Sequence, residues 1–412
     1  MKIFVWGLLP FLGLVLIQSK AVPAQEQPHP GFVIAEMATI HSKILGEDRK
    51  IFVYDPDKNG SNLLPAYPAL YLLDENDMTM VTGLVKYLSA YNENMTPMLV
   101  VGIDGGPTRI RDLTPTHSLV DNLGVVDSDP DSWLKDSGGG ERFTQFIRDE
   151  DSGGGERFTQ FIRDEVIPYV EQHYKAGHFR IFAGHSVGGL EVVDCLLQHP
   201  EMFDAYFAIS PPFWWDRGYP VSLAKEKLPA LTAKKKFLFL ADSPETGPFS
   251  QYVSSFDSLM AKSKPISLQY QHSFYSTESR GSIAAKAYYD GMRFLYPAWD
   301  KAESDDSAAL IRKHYKLMAD RLGYDVQPPL GMVRDWGSRF LRQPGKDADA
   351  FEMFQLNVKN FPNSAFVYQD LGDAYWKKGR TQEAISAYKK AQEMAPNDRQ
   401  IAQRLADLLK EK

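Results

Sequence analysis

The sequence predicts an α/β fold with a mostly parallel central sheet, followed by a small all-α domain, and three observations carry that expectation. Short continuous apolar runs alternate with helix-like segments as far as Trp299, the pattern of strands buried on both faces between crossover helices. One of those runs leads straight into Gly184-His185-Ser186-Val187-Gly188 and then into an amphipathic helix. Beyond Trp299 the runs stop, the composition turns charged and helical, and a helix pattern recurs 34 residues apart.

A chain of 412 residues with 43% apolar residues can bury a large core and predicts more than one domain. Its net charge of -7 leaves no basic footprint, so no nucleic-acid partner is expected. Met1-Lys2 is followed by an apolar run from Ile3 to Ile17, too short for a comfortable membrane span. Small residues at Ala21 and Ala24 precede Gln25, so residues 1–24 read as a cleaved secretory signal. The expectation is a periplasmic or secreted protein with no membrane span after cleavage. The single cysteine, Cys195, cannot form an internal disulfide, and the exported fold must be stable without one.

From Phe32, "FVIAEMATIHSKILGEDRKIFVYDP" alternates apolar and polar residues around a bend at Gly46-Glu47-Asp48, which predicts two paired strands. "PALYLLDE", "MLVVGID", "FRIFAGHS", "DAYFAIS" and "KKKFLFLAD" follow as buried strands with helices between them. The third of these carries the chemistry. A G-x-S-x-G between strand and helix is a nucleophile elbow, in which the glycines permit a turn so tight that the Ser186 hydroxyl projects above the sheet. The Val187 N–H, at the helix start, then faces a developing oxyanion. A bare G-x-S-x-G is a weak signal, and the strand and helix flanks make this one specific.

Through "YLLDEND", "VVGIDGGPTRIRDLTP", "GGGERFTQFIRDEVIPYVEQHY", "GHSVGGL", "ISPPFWWD" and "YYDGMRFLYPAW", residues 32–299 resemble the esterase branch of the α/β-hydrolases. That branch includes esterase D-like enzymes, siderophore trilactone esterases, feruloyl esterases and mycolyltransferases. The resemblance implies an α/β-hydrolase sandwich and a Ser-His-acid triad with Ser186 as nucleophile. It implies also that Asp74 to Asn76 and Trp214-Trp215 border the pocket, with Glu75 supplying a second oxyanion N–H. The acid is expected after the strand "KFLFLADSPE", where Asp242 and Glu245 are both available and Glu245 better matches the family's acidic position.

The histidine breaks the pattern. Relatives place it in an E-x-H-G-S-like segment, and this chain reads Glu278-Ser279-Arg280-Gly281-Ser282. An arginine stays protonated and has no lone pair, so Arg280 can bind an anion but cannot take a proton from Ser186. His272 is the nearest substitute base, on a strand-like stretch upstream; its bland reading is a packed or surface histidine. His185 is expected to point away from the site, as elbow neighbours do, and His117 to belong to a loop on the opposite wall.

"DSGGGERFTQFIRDE" occurs twice in tandem, at Asp136–Glu150 and Asp151–Glu165. Copy two runs on into a helix expected from Glu156 to Tyr174 that leads to the elbow strand, so copy one is the excess and should bulge near the pocket rim. Residues 300–330 form a charged helical linker ending at Pro328-Pro329. Within residues 331–412, Tyr368, Leu371, Gly372, Tyr375, Ala384, Tyr388, Ala391 and Pro396 resemble a tetratricopeptide repeat. Ala350, Phe354 and Pro362 repeat its second half one period earlier, and Arg399–Lys410 would cap the stack. The repeats suit either a packing appendage or a surface for a protein or peptide partner. No metal-ligand motif and no phosphate-binding glycine loop occurs at a strand–helix junction, so no metal and no cofactor are expected. Two functions stand: an exported carboxylic-ester hydrolase acting on a small-molecule ester, and a noncatalytic relative that binds through its pocket or repeats.

Overall fold

The computed structural model describes residues 33–58, 64–73, 75–91, 95–120, 125–128, 132, 134, 135, 137, 154–231, 235–244, 250–263, 265–297 and 306–410. The hairpin β1 (Glu36–Ser42) and β2 (Glu47–Tyr54) turns at Gly46, whose φ of 73° suits a residue without Cβ. There follow β3 (Tyr67–Leu72), α1 (Met78–Lys86), β4 (Leu99–Ile103), the short α2 (Arg109–Asp112), α3 (Gly154–Phe161) and α4 (Ile167–His173). Then come β5 (Ala176–His185), α5 (Val187–Gln198), β6 (Ala205–Ile209), α6 (Trp215–Lys227), β7 (Lys236–Asp242), α7 (Ser250–Ser263), β8 (Leu268–Phe274) and α8 (Ala284–Leu295).

The strands form one sheet in the order β1-β2-β4-β3-β5-β6-β7-β8. β1, β2 and β4 pair antiparallel, and every pairing from β4 to β8 is parallel. Period-two alternation assigns the two faces. Ile181 and Ala183 of β5 join a core with α1 and α8, while Phe182 between them joins the core under α3, α4, α5 and α7. The α/β-hydrolase sandwich expected from the sequence is therefore present, and no described helix is long and apolar enough to cross a membrane.

The expected helix from Glu156 to Tyr174 is interrupted. A π-type segment, Ile162–Val166, separates α3 from α4. Pro168 lies at the start of α4, and the wider turn accommodates a residue that has no N–H and would crowd the preceding turn. Copy two is tied to α5: Thr159 bonds the buried Glu191, and Glu156 accepts from His199 at 2.8 Å. Copy one lies outside the described residues except for Ser137, whose hydroxyl donates to the Ser118 carbonyl at 3.0 Å.

The C-terminal part is helical: α9 (Ala308–Leu322), α10 (Leu330–Leu341), α11 (Asp347–Asn360), α12 (Ala365–Lys377), α13 (Thr381–Met394) and α14 (Arg399–Lys410). α9 is packed as tightly as the hydrolase helices. Ala308, Ile311, Tyr315, Met318 and Leu322 form a buried stripe at helical spacing within the same core as β5 to β7 and α8. Tyr324 extends that contact, its hydroxyl 2.6 Å from that of Tyr296. In the repeats, a Cβ on Gly372 would stand 2.6 Å from the Tyr388 ring, and one on Gly337 2.9 Å from the Phe354 ring. The same small-against-aromatic contact thus recurs in both helix pairs. α14 buries Ile401, Leu405 and Leu408 against α13, closing the stack.

Candidate active site

The site is built at the carboxyl ends of β5, β6 and β7. β5 ends at His185, and Ser186 takes φ 59° and ψ -121°, a conformation that few non-glycine residues adopt and that costs on the order of 1–3 kcal/mol. The turn is possible because its neighbours lack side chains. A Cβ at Gly184 would fall 2.5 Å from the Gly188 carbonyl, and one at Gly189 2.9 Å from the Ile209 carbonyl. The Ser186 N–H donates to the Ile209 carbonyl at 2.8 Å, which fastens the elbow to β6. α5 then starts at Val187 with its N-terminal N–H groups and positive dipole end beside the serine.

The neighbouring strand ends continue the arrangement. Ser210, directly after β6, has φ 45° and donates its N–H to the Ala241 carbonyl at 2.7 Å. Arg280, in the loop before α8, donates from Nη2 to the Ser210 carbonyl at 3.1 Å. Its own carbonyl accepts from His185 Nε2 at 2.8 Å. The residue standing in place of the expected histidine is thus bonded at both ends to residues flanking the elbow. Arg109, on α2, donates to the His185 carbonyl at 3.2 Å and braces the end of β5 from the other side.

His185 turns away from the Ser186 side, as expected, toward the α1 and α8 face. Because the Arg280 carbonyl can only accept, Nε2 carries the proton. Burial depresses the His185 pKa, with the Arg280 and Arg109 cations adding to the effect against the pull of Asp77, and the ring is neutral at pH 7. Asp77, at the start of α1, is pushed up by its own burial despite His185, Tyr288 and Arg109 nearby.

His272 does not face Ser186 with an open nitrogen. It lies on β8, with Nδ1 2.5 Å from Asp257 of α7 and Nε2 2.7 Å from Asp242. Both ring nitrogens are committed to carboxylates, so this rotamer has no lone pair to offer a serine. Asp242, proposed from sequence as a triad acid, spends its Oδ1 on the same ring, while its backbone carbonyl accepts from Tyr275 at 2.9 Å. Asp74 and Glu245 lie outside the described residues. Glu75 opens the turn before α1, close to β5 through the pairing of β3, and its carboxylate accepts from the Gly105 N–H at 3.2 Å.

Of the two tryptophans expected as pocket walls, Trp215 needs correction. Trp215 is completely buried, with Nε1 3.2 Å from the Thr116 hydroxyl, and packs with Leu134, Leu190 and Trp214. Trp214 is 6% exposed. An indole with no free surface cannot border a substrate; Trp215 supports the wall from behind. Sequence reasoning missed Arg109, Asp77 and Asp257. Arg109 lies in the "GPTRIRDLTP" stretch that carries the resemblance, whereas nothing in the sequence joins Asp257 to His272.

An eight-stranded, mostly parallel sheet with a strained serine at the β5–α5 junction gives the chain the α/β-hydrolase fold. The family described as "Putative esterase" matches residues 124–280, and the tetratricopeptide repeat matches residues 367–398. Ferri-bacillibactin esterase BesA of Bacillus subtilis is 30% identical over 167 residues, covering 37% of this chain and 50% of the relative. The siderophore enterobactin esterase of Emericella nidulans is 29% identical over 162 residues, covering 36% and 47%. The chain therefore matches about half the length of these curated relatives. Among solved structures, an IroE-like serine hydrolase from Shewanella oneidensis aligns with a TM-score of 0.65 at 24% identity, covering 79% of this chain and 99% of that one. The siderophore hydrolase EstA from Aspergillus nidulans aligns at 0.50 and 19%, covering 66% and 97%; both structures speak for the fold. Residues 124–280 thus resemble an esterase family and residues 367–398 a tetratricopeptide repeat, on a chain with the α/β-hydrolase fold.

Proposed function

We propose that the protein is a serine hydrolase of the carboxylic-ester type, with Ser186 as nucleophile and a turnover held low by the missing imidazole. The observation that carries this reading is the strained Ser186 at the end of β5. Such backbone strain persists where the surroundings enforce it, and it clusters at functional sites. In the proposed step, Ser186 Oγ attacks the ester carbonyl, its proton passes to water, and the alcohol leaves as the acyl–serine forms. The Val187 N–H, with the peptide N–H of Glu75 as second donor, stabilises the oxyanion. Water then releases the acid. Removing one member of a serine triad costs on the order of a million-fold in turnover, leaving about a thousand-fold or more over water from the oxyanion hole and binding.

Arg280 would hold a negatively charged part of the ester or the departing carboxylate. The names of the two curated relatives make iron-chelating siderophore esters the first natural substrates to test. The segment from Met1 to Ala24 supports export to the periplasm or medium, and sequencing the amino terminus of the mature protein tests it. A second reading, a noncatalytic binder, is favoured by one arrangement: the His272 nitrogens are both bound to carboxylates, and Arg280 fills the histidine's place.

Hydrolysis of p-nitrophenyl butyrate by the wild type beside Ser186→Ala separates the two. Slow turnover that disappears in Ser186→Ala supports the hydrolase. Equal rates in both proteins sink it in favour of the binder.

A further inference from the structure

Far along the chain from the elbow, α9, the segment Asp325–Pro328 and the end of α11 line an open cavity of about 600 Å3. That volume lies in the range of small-molecule sites, roughly 300–1,000 Å3. Its apolar part is made by Tyr315, Val326 and Leu356, of which Tyr315 and Val326 are buried. Its rim is cationic. Arg312, Lys313, Lys316 and Lys359 line it against a single carboxylate, Asp325, on a chain whose acidic residues outnumber the basic ones by 53 to 46.

Two of those cations are already neutralised from outside the cavity lining. Arg312 pairs with Glu352, and Lys316 with Asp320 at 3.2 Å. Lys313 and Lys359 have no ion-pair partner among the described residues. Asn360 lines the same cavity, and its Nδ2 is buried without a hydrogen-bond acceptor. A buried amide donor left unpaired costs about 1–3 kcal/mol, a cost that an acceptor entering the cavity would remove. Two uncompensated ammonium groups and one orphaned donor around an apolar floor are complementary to one kind of molecule.

We propose that this cavity binds a small organic monoanion, a carboxylate on an aromatic or branched apolar body. Lys313, Lys359 and the Asn360 amide meet the carboxylate, and Tyr315, Val326 and Leu356 surround the body. The site is separate from Ser186 and does not depend on whether Ser186 turns over an ester. The rim lysines are exposed, so each contributes modestly and the binding weakens as salt screens them.

The test is calorimetric titration of the full chain with phenylacetate, beside its neutral isostere phenylacetamide. Phenylacetate should bind, with phenylacetamide weaker by about tenfold or more, the factor that corresponds to one well-placed charge contact. The double variant Lys313→Gln/Lys359→Gln should lose about the same factor, with an unchanged melting temperature because both side chains lie at the surface. Equal binding of acid and amide, no binding of phenylacetate at millimolar concentration, or binding that survives the double lysine variant and is lost in Arg280→Gln would each overturn the proposal. The last outcome would move the anion to the Ser186 site.

Discussion

The two sides of the candidate active site obey different constraints. On the β5–α5 side the backbone itself makes the turn: Ser186 holds φ 59°, and Gly184 and Gly189 approach other backbone atoms more closely than a Cβ would allow. On the β7–β8–α8 side the polar side chains are paired with one another. Asp242 and Asp257 share His272, and Arg280 binds the Ser210 carbonyl. Backbone and side chains therefore differ in how many residues must change before either is lost. An elbow is a collision-limited piece of backbone that several residues must build together, whereas a general base is one side chain on a loop and can be lost without disturbing the sheet.

The strongest way to break this contrast is to add one methyl group to the elbow. Gly184→Ala would set a Cβ 2.5 Å from the Gly188 carbonyl, in contact with backbone that cannot rotate away. A loss of about 3 kcal/mol or more is expected, since overpacking against a fixed backbone costs at the upper end of point substitutions. Urea unfolding reads it, and a loss below about 1 kcal/mol would mean that the elbow is looser than it looks. Next in size is Arg280→His. On the proposed reading it returns a base to the loop and raises p-nitrophenyl butyrate turnover by roughly a hundredfold, about 2.7 kcal/mol of barrier. An unchanged rate would show that the β7–β8 side needs more than its imidazole, because Asp242 is engaged elsewhere.

The sequence reading reaches furthest where a local rule leaves one outcome. Strand runs such as "FRIFAGHS" give the parallel sheet, and the Gly-x-Ser-x-Gly between strand and helix gives the elbow. The 34-residue recurrence gives the C-terminal repeats, and the small and aromatic signature positions Gly372 and Tyr388 meet in the structure. It falls short where the outcome depends on what meets across the fold. Charged α9 reads as a linker, yet its apolar stripe fits against the hydrolase core. Trp215 reads as a pocket wall, yet Thr116, 99 residues away in sequence, supplies the partner that lets its indole be buried. His272 reads as a spare base because it is the histidine nearest Arg280 in sequence, and nothing there reveals the two carboxylates that meet its ring.

The smallest expected effect, and the one that sharpens the contrast most, concerns that histidine. Burial alone would lower the His272 pKa, but hydrogen bonds and charge from Asp242 and Asp257 outweigh it and raise the value above 6.5. The folded protein therefore holds this proton more tightly than the unfolded chain does. The stability this provides is fully present below about pH 6.5 and is lost as pH rises through the raised folded value. Asp257→Asn removes one of the two carboxylate charges and leaves a single acceptor oxygen where Tyr270 and His272 now use two. It should cost about 1–2 kcal/mol at pH 6, in the range of hydrogen bonds to charged groups, and progressively less as rising pH takes the proton from the wild-type ring. Urea unfolding from about pH 6 upward checks the sign: a cost that grows with pH would mean that the ring is neutral throughout. Measuring ester turnover on the same variant adds the decisive comparison. A rate that stays at the wild-type level keeps His272 as a structural tie between α7 and β8, while a rise would mean that freeing Nδ1 lets the imidazole serve Ser186 after all.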